Sequence, residues 1–191
     1  MLVAEIPEKA RKILETLKQN EFDAYAVGGC IRDLALGRIP ADWDIATNAL
    51  PQDVKALFEK TVDTGLKHGT VTVILDDSTF EVTTFRIDGS YKDGRHPDKV
   101  EFAGRIEEDL SRRDFTINAM AWNEESGIVD PFGGIKDINS RLIKTVGDPY
   151  ERFCEDALRM LRAVRFAVRL GFDIHTDTLR AIKENKSLIS N

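Results

Sequence analysis

The stretch V-G-G-C-I-R-D-L-A-L-G-R-I-P-A-D-W-D-I-A-T, from Val27 to Thr47, leaves a chain few ways to fold. Ala24–Val27 is short and apolar and reads as a strand. Gly28 and Gly29 supply the turn after it. Ile31–Leu36 reads as a short helix that Gly37 is placed to stop. Trp43 and Ile45, alternating with Asp42 and Asp44, begin a second strand. Strand residues two apart share a face, so the spacing predicts Asp42 and Asp44 on one side and Trp43 packed on the other.

Around this unit the pattern is mixed. Ile6, Ala10, Ile13, Leu14 and Leu17 recur at helical spacing over Ile6–Asn20, with Pro7 tolerated in the first turn. Pro51 starts a helix over Gln52–Glu59. Val71–Leu75 and Phe80–Phe85 are apolar, β-branched runs joined by Asp76-Asp77-Ser78-Thr79, a hairpin signal. Ile87–Lys99, rich in Gly, Asp and basic residues, reads as a loop. Glu107–Arg113 reads as a helix, Ala119–Trp122 as a strand and Pro131–Gly134 as a turn. From Asp148 the pattern is helical for about six turns, with Asp148 as cap, Pro149 at the first position and Gly171 as the stop. Thr176–Asn185 reads as a further helix. The predicted class is α+β: a mixed β-sheet with flanking helices over residues 1–140, then an α-helical segment over 141–191.

Carboxylates as close as Asp42 and Asp44 repel each other unless a cation lies between them. Mg²⁺ takes oxygen ligands, commonly one or two carboxylates plus substrate phosphates, and a pair of such ions can serve both ends of a phosphoryl transfer. Glu81, in S-T-F-E-V-T-T-F-R, is the best candidate for a third carboxylate. Gly28 and Gly29, between strand and helix, allow backbone N–H groups to approach an anion, and Arg32 adds a cation beside it. The plainer readings are two solvated aspartates, an Arg32 ion pair with Asp33 or Asp42, and an exposed strand glutamate. The glycine turn, Arg32 and D-x-D together favour phosphate chemistry over these.

The motifs G-G-C-I-R-D and A-D-W-D-I-A-T are followed by E-D-L-S-R-R-D-F-T-I-N-A-M-A (Glu108–Ala121), D-P-F-G-G (Asp130–Gly134) and R-F-C-E-D-A-L-R-M-L-R-A-V-R-F (Arg152–Phe166). In this order they resemble the head domain of class II tRNA nucleotidyltransferases (CCA-adding enzymes) and bacterial poly(A) polymerases, within the DNA polymerase β-like superfamily. The resemblance runs from Ala24 to Gly171. It implies a nucleotidyltransferase head followed by a helical neck, with body and tail domains absent from this chain. It also implies Mg²⁺ as cofactor and a tRNA 3′ end, ATP and CTP as partners. Asp42 and Asp44 then correspond to the metal ligands, and with Glu81 to the catalytic carboxylates. Gly28, Gly29 and Arg32 correspond to the triphosphate cradle, and Arg112, Arg113 and Asp114 to contacts with the nucleotide's sugar and phosphates. Glu155, Asp156 and Arg159 match E-D-x-x-R, whose Asp and Arg hydrogen-bond the incoming base, and Arg162 and Arg165 fall at further nucleotide positions. On a continuous helix Asp156 and Arg159 share a face, one accepting and the other donating. The plainer reading there is a Glu155–Arg159 surface pair, with the arginines covering an apolar stripe of Leu158, Leu161, Val164 and Val168.

Within that family, Val62–Val73 resembles the CCA-adding pattern rather than the basic stretch of poly(A) polymerases, with His68 as a turn residue. The loop Asp88–Lys99 has the full length that CC-adding members tend to lack, which leaves full CCA addition, with an A-adding enzyme or poly(A) polymerase as the alternative, besides a non-catalytic nucleotide- or RNA-binding module. A net charge of −6 excludes a uniformly basic surface but not a local basic patch. It agrees with a chain that ends in the neck and holds tRNA weakly alone. No apolar run reaches the roughly 20 residues of a membrane span, and the N-terminus is not laid out as a signal peptide, so a cytoplasmic protein is expected. Cys30 and Cys154 form no ligand or disulfide pattern and read as small core residues.

Overall fold

The computed structural model describes residues 6–89 and 100–190. Helix α1 (Glu8–Gln19) buries Ala10, Ile13, Leu14 and Leu17 against strand β1 (Ala24–Val27). The turn at Gly28 leads into helix α2 (Gly29–Ala35), and strand β2 (Asp44–Thr47) returns antiparallel to β1. Helix α3 (Pro51–Leu57) precedes β3 (Thr61–Gly65), β4 (Thr70–Leu75) and β5 (Ser78–Thr84). A short ribbon, β6 (Arg86–Asp88) with β7 (Val100–Phe102), leads to helix α4 (Ile106–Ser111). Then come β8 (Ala121–Asn123), β9 (Gly127–Val129), helix α5 (Gly134–Asn139) and β10 (Leu142–Ile143). The chain continues through α6 (Pro149–Glu155), α7 (Leu158–Leu170), β11 (Asp173–Ile174) and α8 (Thr176–Asn185).

Seven strands form one mixed sheet in the order β3-β4-β5-β2-β1-β8-β9. Only β2 and β5 run parallel within it. Alternation sorts the central strands: Ala26, Ile45 and Val82 enter the larger core with α1, while Val27 and Ala46 join Phe85, Ile106 and Leu110 on the other side. By the same alternation Asp44 and Glu81 fall on the side of Ala46, one step beyond the apolar part of that face. A parallel pairing of β10 with β11 ties the segment after α5 to the turn that follows α7.

The structure corrects four expectations. Asp42 lies just before β2, so only Asp44 of the pair is a strand residue, although Trp43 between them is buried as expected. Ile87 and Asp88 belong to β6 rather than a loop; Ser90 to Lys99 of the predicted loop lie outside the described residues. His68 is a turn residue as expected, closing the 3-10 turn Leu66–His68 that follows strand β3. Cys30 is buried and its thiol pushed up to about 12 by burial, but Cys154 is exposed, because α6 turns Phe153 inward and its neighbour out.

The fourth correction bears on the site. The predicted six-turn helix is two helices, broken at Asp156, whose φ of −143° and ψ of 103° are extended. The Asp156 carboxylate accepts the Leu158 N–H at 2.9 Å and so begins α7. The apolar stripe is not covered by arginines either: Leu161, Val164 and Val168 are exposed, and α7 packs through Met160, Ala163 and Leu170.

Candidate active site

A cavity of about 580 Å³ opens where α2, β2, the segment after α4, and α7 meet. Gly28, Gly29, Arg32, Asp42, Asp44, Arg112, Arg113, Asp114, Asp156, Arg159, Arg162 and Arg165 all line it. Residues far apart in the chain thus converge on one cavity. Asn118, Phe166 and Arg169 also line it and were not singled out beforehand. Seven arginines against four aspartates make the wall net positive by three within an acidic chain. That is the local basic patch an anionic substrate needs.

Two expected residues sit differently. Glu81 is not on the cavity wall; it stands opposite Asp44 in the parallel β2–β5 register. Glu155 also lies outside the wall and holds Arg159 through a 2.6 Å ion pair. The Asp44 carboxyl is raised above the ordinary range, first by its withdrawal from water, then by the charge of Glu81, with Arg113 opposing and Asp42 adding to the rise. Among the described residues no three His, Cys, Asp or Glu side chains form a ready metal cage. The donors nevertheless fit a hard divalent cation: Asp42, Asp44 and Glu81 offer only oxygen, and their mutual repulsion is what such an ion relieves.

The glycine turn works through sterics as much as hydrogen bonding. Gly28 has φ of 76°, and a Cβ there would meet Arg113 Nη1 at 2.8 Å. Its own N–H is spent on the Met120 carbonyl at 3.0 Å, so it is not among the donors left for an anion. Arg32 is buried and tightly held. It donates to Asp33 at 2.9 Å and to Asn118 Oδ1 at 2.7 Å, and its guanidinium lies 5.2 Å from the Phe166 ring centroid. The Asp33 pair named as the plainer reading is thus present, on a residue that also lines the cavity.

Asn118 links the two halves of the wall. Its Oδ1 accepts from Arg32, and its Nδ2 donates to Asp114 Oδ1 at 3.1 Å. Asp114 Oδ2 in turn accepts from Arg162 Nε at 2.7 Å, and Arg162 stacks on the face of Phe166 at 5.3 Å. Neighbouring arginines are fixed by Asp109, a fully buried carboxylate. One oxygen takes Arg112 Nη2 at 2.7 Å, the other Arg113 Nη2 at 3.0 Å. Burial pushes the Asp109 carboxyl up, but Arg113 and Arg112 outweigh it and hold the group below the ordinary range. Arg159 Nη2 reaches the Arg112 carbonyl at 3.2 Å, tying the start of α7 to the same pair. The signal for Asp109 and Asn118 was their place inside E-D-L-S-R-R-D-F-T-I-N-A; Asp109 otherwise looks like one more acid in a helix's first turn.

Removing the charge at Asp109 is expected to unbind both arginines at once. Asp109→Asn should cost about 3–5 kcal/mol, the usual result of breaking a buried ion pair. A carboxyl held low contributes stability above its unfolded value that is lost as pH falls through its folded value. The gap between the two proteins in thermal melts should therefore be full at neutral pH and begin to narrow below about pH 4. A constant gap across that range would remove the charge from the explanation.

Residues 24–144 match the family described as the poly(A) polymerase head domain. The chain is 54% identical over 184 residues to the CCA-adding enzyme of Geobacillus stearothermophilus, covering 96% of this chain and 46% of that protein. Its structure superposes with a TM-score of 0.88 on the crystal structure of the Bacillus stearothermophilus CCA-adding enzyme in complex with CTP, at 52% identity, covering 95% of this chain and 44% of the other. The Thermotoga maritima CCA-adding enzyme complexed with tRNA gives a TM-score of 0.78 at 28% identity, covering 96% and 43%. The chain thus spans about half the length of the relatives it matches.

Proposed function

The chain belongs to the family of poly(A) polymerase head domains, and we propose on that premise that it carries the catalytic head of a Mg²⁺-dependent tRNA nucleotidyltransferase. The reaction adds C and A to the tRNA 3′ end from CTP and ATP and releases pyrophosphate. The observation that carries this reading is one cavity lined both by a carboxylate pair and by the arginine-bearing helix α7, with Asp156 and Arg159 at the start of that helix. Relatives whose names record CCA addition, CTP and tRNA support it.

In this reading Asp42 and Asp44, with Glu81 beside them, hold the metal ions. Mg²⁺ supplies Lewis-acid activation of the attacking hydroxyl and charge neutralisation on the triphosphate. The protein's own residues do the rest. Gly28 leaves room for Arg113 to lie close over the turn, where a side chain would displace it. Arg32, fixed by Asp33 and Asn118, and Arg113, fixed by Asp109, are pre-oriented donors toward phosphate and sugar oxygens. Asp156 accepts and Arg159 donates, a pattern that suits the amino group and ring nitrogen shared by the Watson–Crick edges of C and A. It does not suit U or G, whose edges present the opposite order.

Residues 141–191 are assigned to the start of a helical neck, an assignment supported by α6, α7 and α8 packing through Phe153, Met160 and Ala181. A cytoplasmic location suits the substrates. Among the described residues no helix is long and apolar enough to cross a membrane. The test is terminal addition by the full-length protein on tRNAs ending before CCA, after C and after CC. Extension of all three with ordered C and A is the expected result. Extension only of the last marks an A-adding enzyme, long A tails a poly(A) polymerase, and nucleotide binding without incorporation a non-catalytic module.

A further inference from the structure

Helix α7 carries arginines at 159, 162, 165 and 169, spaced so that all four share one face, and all four line the cavity. Their surroundings differ. Arg159 is bonded to Glu155 and to the Arg112 carbonyl, and Arg162 to Asp114. Arg165 and Arg169 are exposed and make no hydrogen bond or ion pair with any described residue. Two guanidiniums with no partner among the described residues therefore sit about one turn apart in the C-terminal part of the helix.

We propose that Arg169 is a further nucleotide-binding residue, contacting the terminal phosphate of the incoming triphosphate beside Arg165. The inference rests on the nucleotide-transfer reading above and extends it. Distance along the helix supports the placement. At 1.5 Å per residue, Arg169 lies about 15 Å beyond Arg159, a span comparable with that of an extended nucleoside triphosphate from base edge to last phosphate. Level along the helix supports it too. The phosphate side of the cavity meets α7 at Phe166, over which Arg32 stacks. Phe166 lies between Arg165 and Arg169 in the chain, not at the Asp156 end. Charge points the same way: a terminal phosphate carries about two negative charges near neutral pH, an internal phosphodiester one, so the terminal group matches two unpaired guanidiniums better.

The proposal is tested by calorimetric titration of this chain, unchanged and as Arg169→Ala and Arg169→Lys, with CTP, CDP and CMP in magnesium buffer. Arg169→Ala should weaken CTP binding about tenfold, the loss of one charge-assisted contact, and leave CDP and CMP binding unchanged. Arg169→Lys should recover part of the loss, since an ammonium supplies charge without the planar fork. Because Arg169 is exposed, melting temperatures should agree across the three proteins. An equal loss for all three nucleotides, or none for CTP, overturns the assignment. Failure of the unchanged chain to bind CTP better than CMP would overturn this inference together with the transfer reading. Normal CTP binding with an indifferent Arg169→Ala would overturn the inference alone.

Discussion

Asp44→Asn is expected to abolish nucleotide transfer in the full-length enzyme while making the metal-free fold more stable. Both effects have one source. The Asp44 carboxylate is partly withdrawn from water and stands in register with Glu81, with Asp42 close by, and these push its proton affinity up against the opposing charge of Arg113. A carboxyl raised in the folded state binds its proton more tightly there than in the unfolded chain. Its ionised form therefore costs stability at neutral pH, and the cost disappears as pH falls through the folded value. An amide at this position removes the cost without changing the shape. In EDTA at neutral pH the variant should melt higher than the unchanged protein, and the difference should vanish in acid. With a divalent ion present the order should reverse, because ligand binding stabilises only a fold that can hold the ligand. Transfer should fall by on the order of a thousandfold or more, as several kcal/mol of charge stabilisation are lost. Near-normal transfer would remove Asp44 from the chemistry. A lower melting temperature in EDTA would mean that the three carboxylates are not in conflict.

What the sequence could reveal about this site follows from where each residue's environment comes from. Strand, glycine turn and D-x-D are local, and the apolar Trp43 between the two polar residues Asp42 and Asp44 is an alternation the sequence itself displays. The strands that escaped notice are β3, β6, β7 and β9, whose residues are mostly exposed or half-buried and so lack an alternating apolar signal, and β10 and β11, which at two residues each are too short to carry one. Asp109 reads as a solvated acid because nothing local buries it; the carboxylate acquires its role only when Arg112 and Arg113 fold back over it. Likewise Asn118 gains its meaning from Arg32, distant in sequence. The helix break at Asp156 was hidden for a different reason. Phe153, Met160 and Ala163 are all buried, so the apolar pattern runs on across the break and hides the two residues that leave the helix.

That break changes what a mutation at Asp156 must be designed to separate. The carboxylate has two tasks: one oxygen caps α7 through the Leu158 N–H, and the side chain lines the cavity beside Arg159. Asp156→Ala removes both, so a loss of base choice there could come from a frayed helix start. Asp156→Asn isolates the second task. Asparagine caps a helix about as well as aspartate, but its amide replaces one acceptor oxygen with a donor. The expected result is that both variants lose preference for CTP over UTP by about a hundredfold, roughly 3 kcal/mol, the upper range for a hydrogen bond to a charged group. Only Asp156→Ala should also lower stability, by about 1 kcal/mol for the lost cap. Apparent affinity for the triphosphate should change little in Asp156→Asn, because Arg32, Arg113 and Arg162 keep partners that do not include Asp156. Incorporation of each of the four nucleotides on tRNA lacking CCA, alongside thermal melts, measures all three quantities. Unchanged discrimination in the Asn variant, with the cap intact, would show that this carboxylate starts a helix and does not read a base.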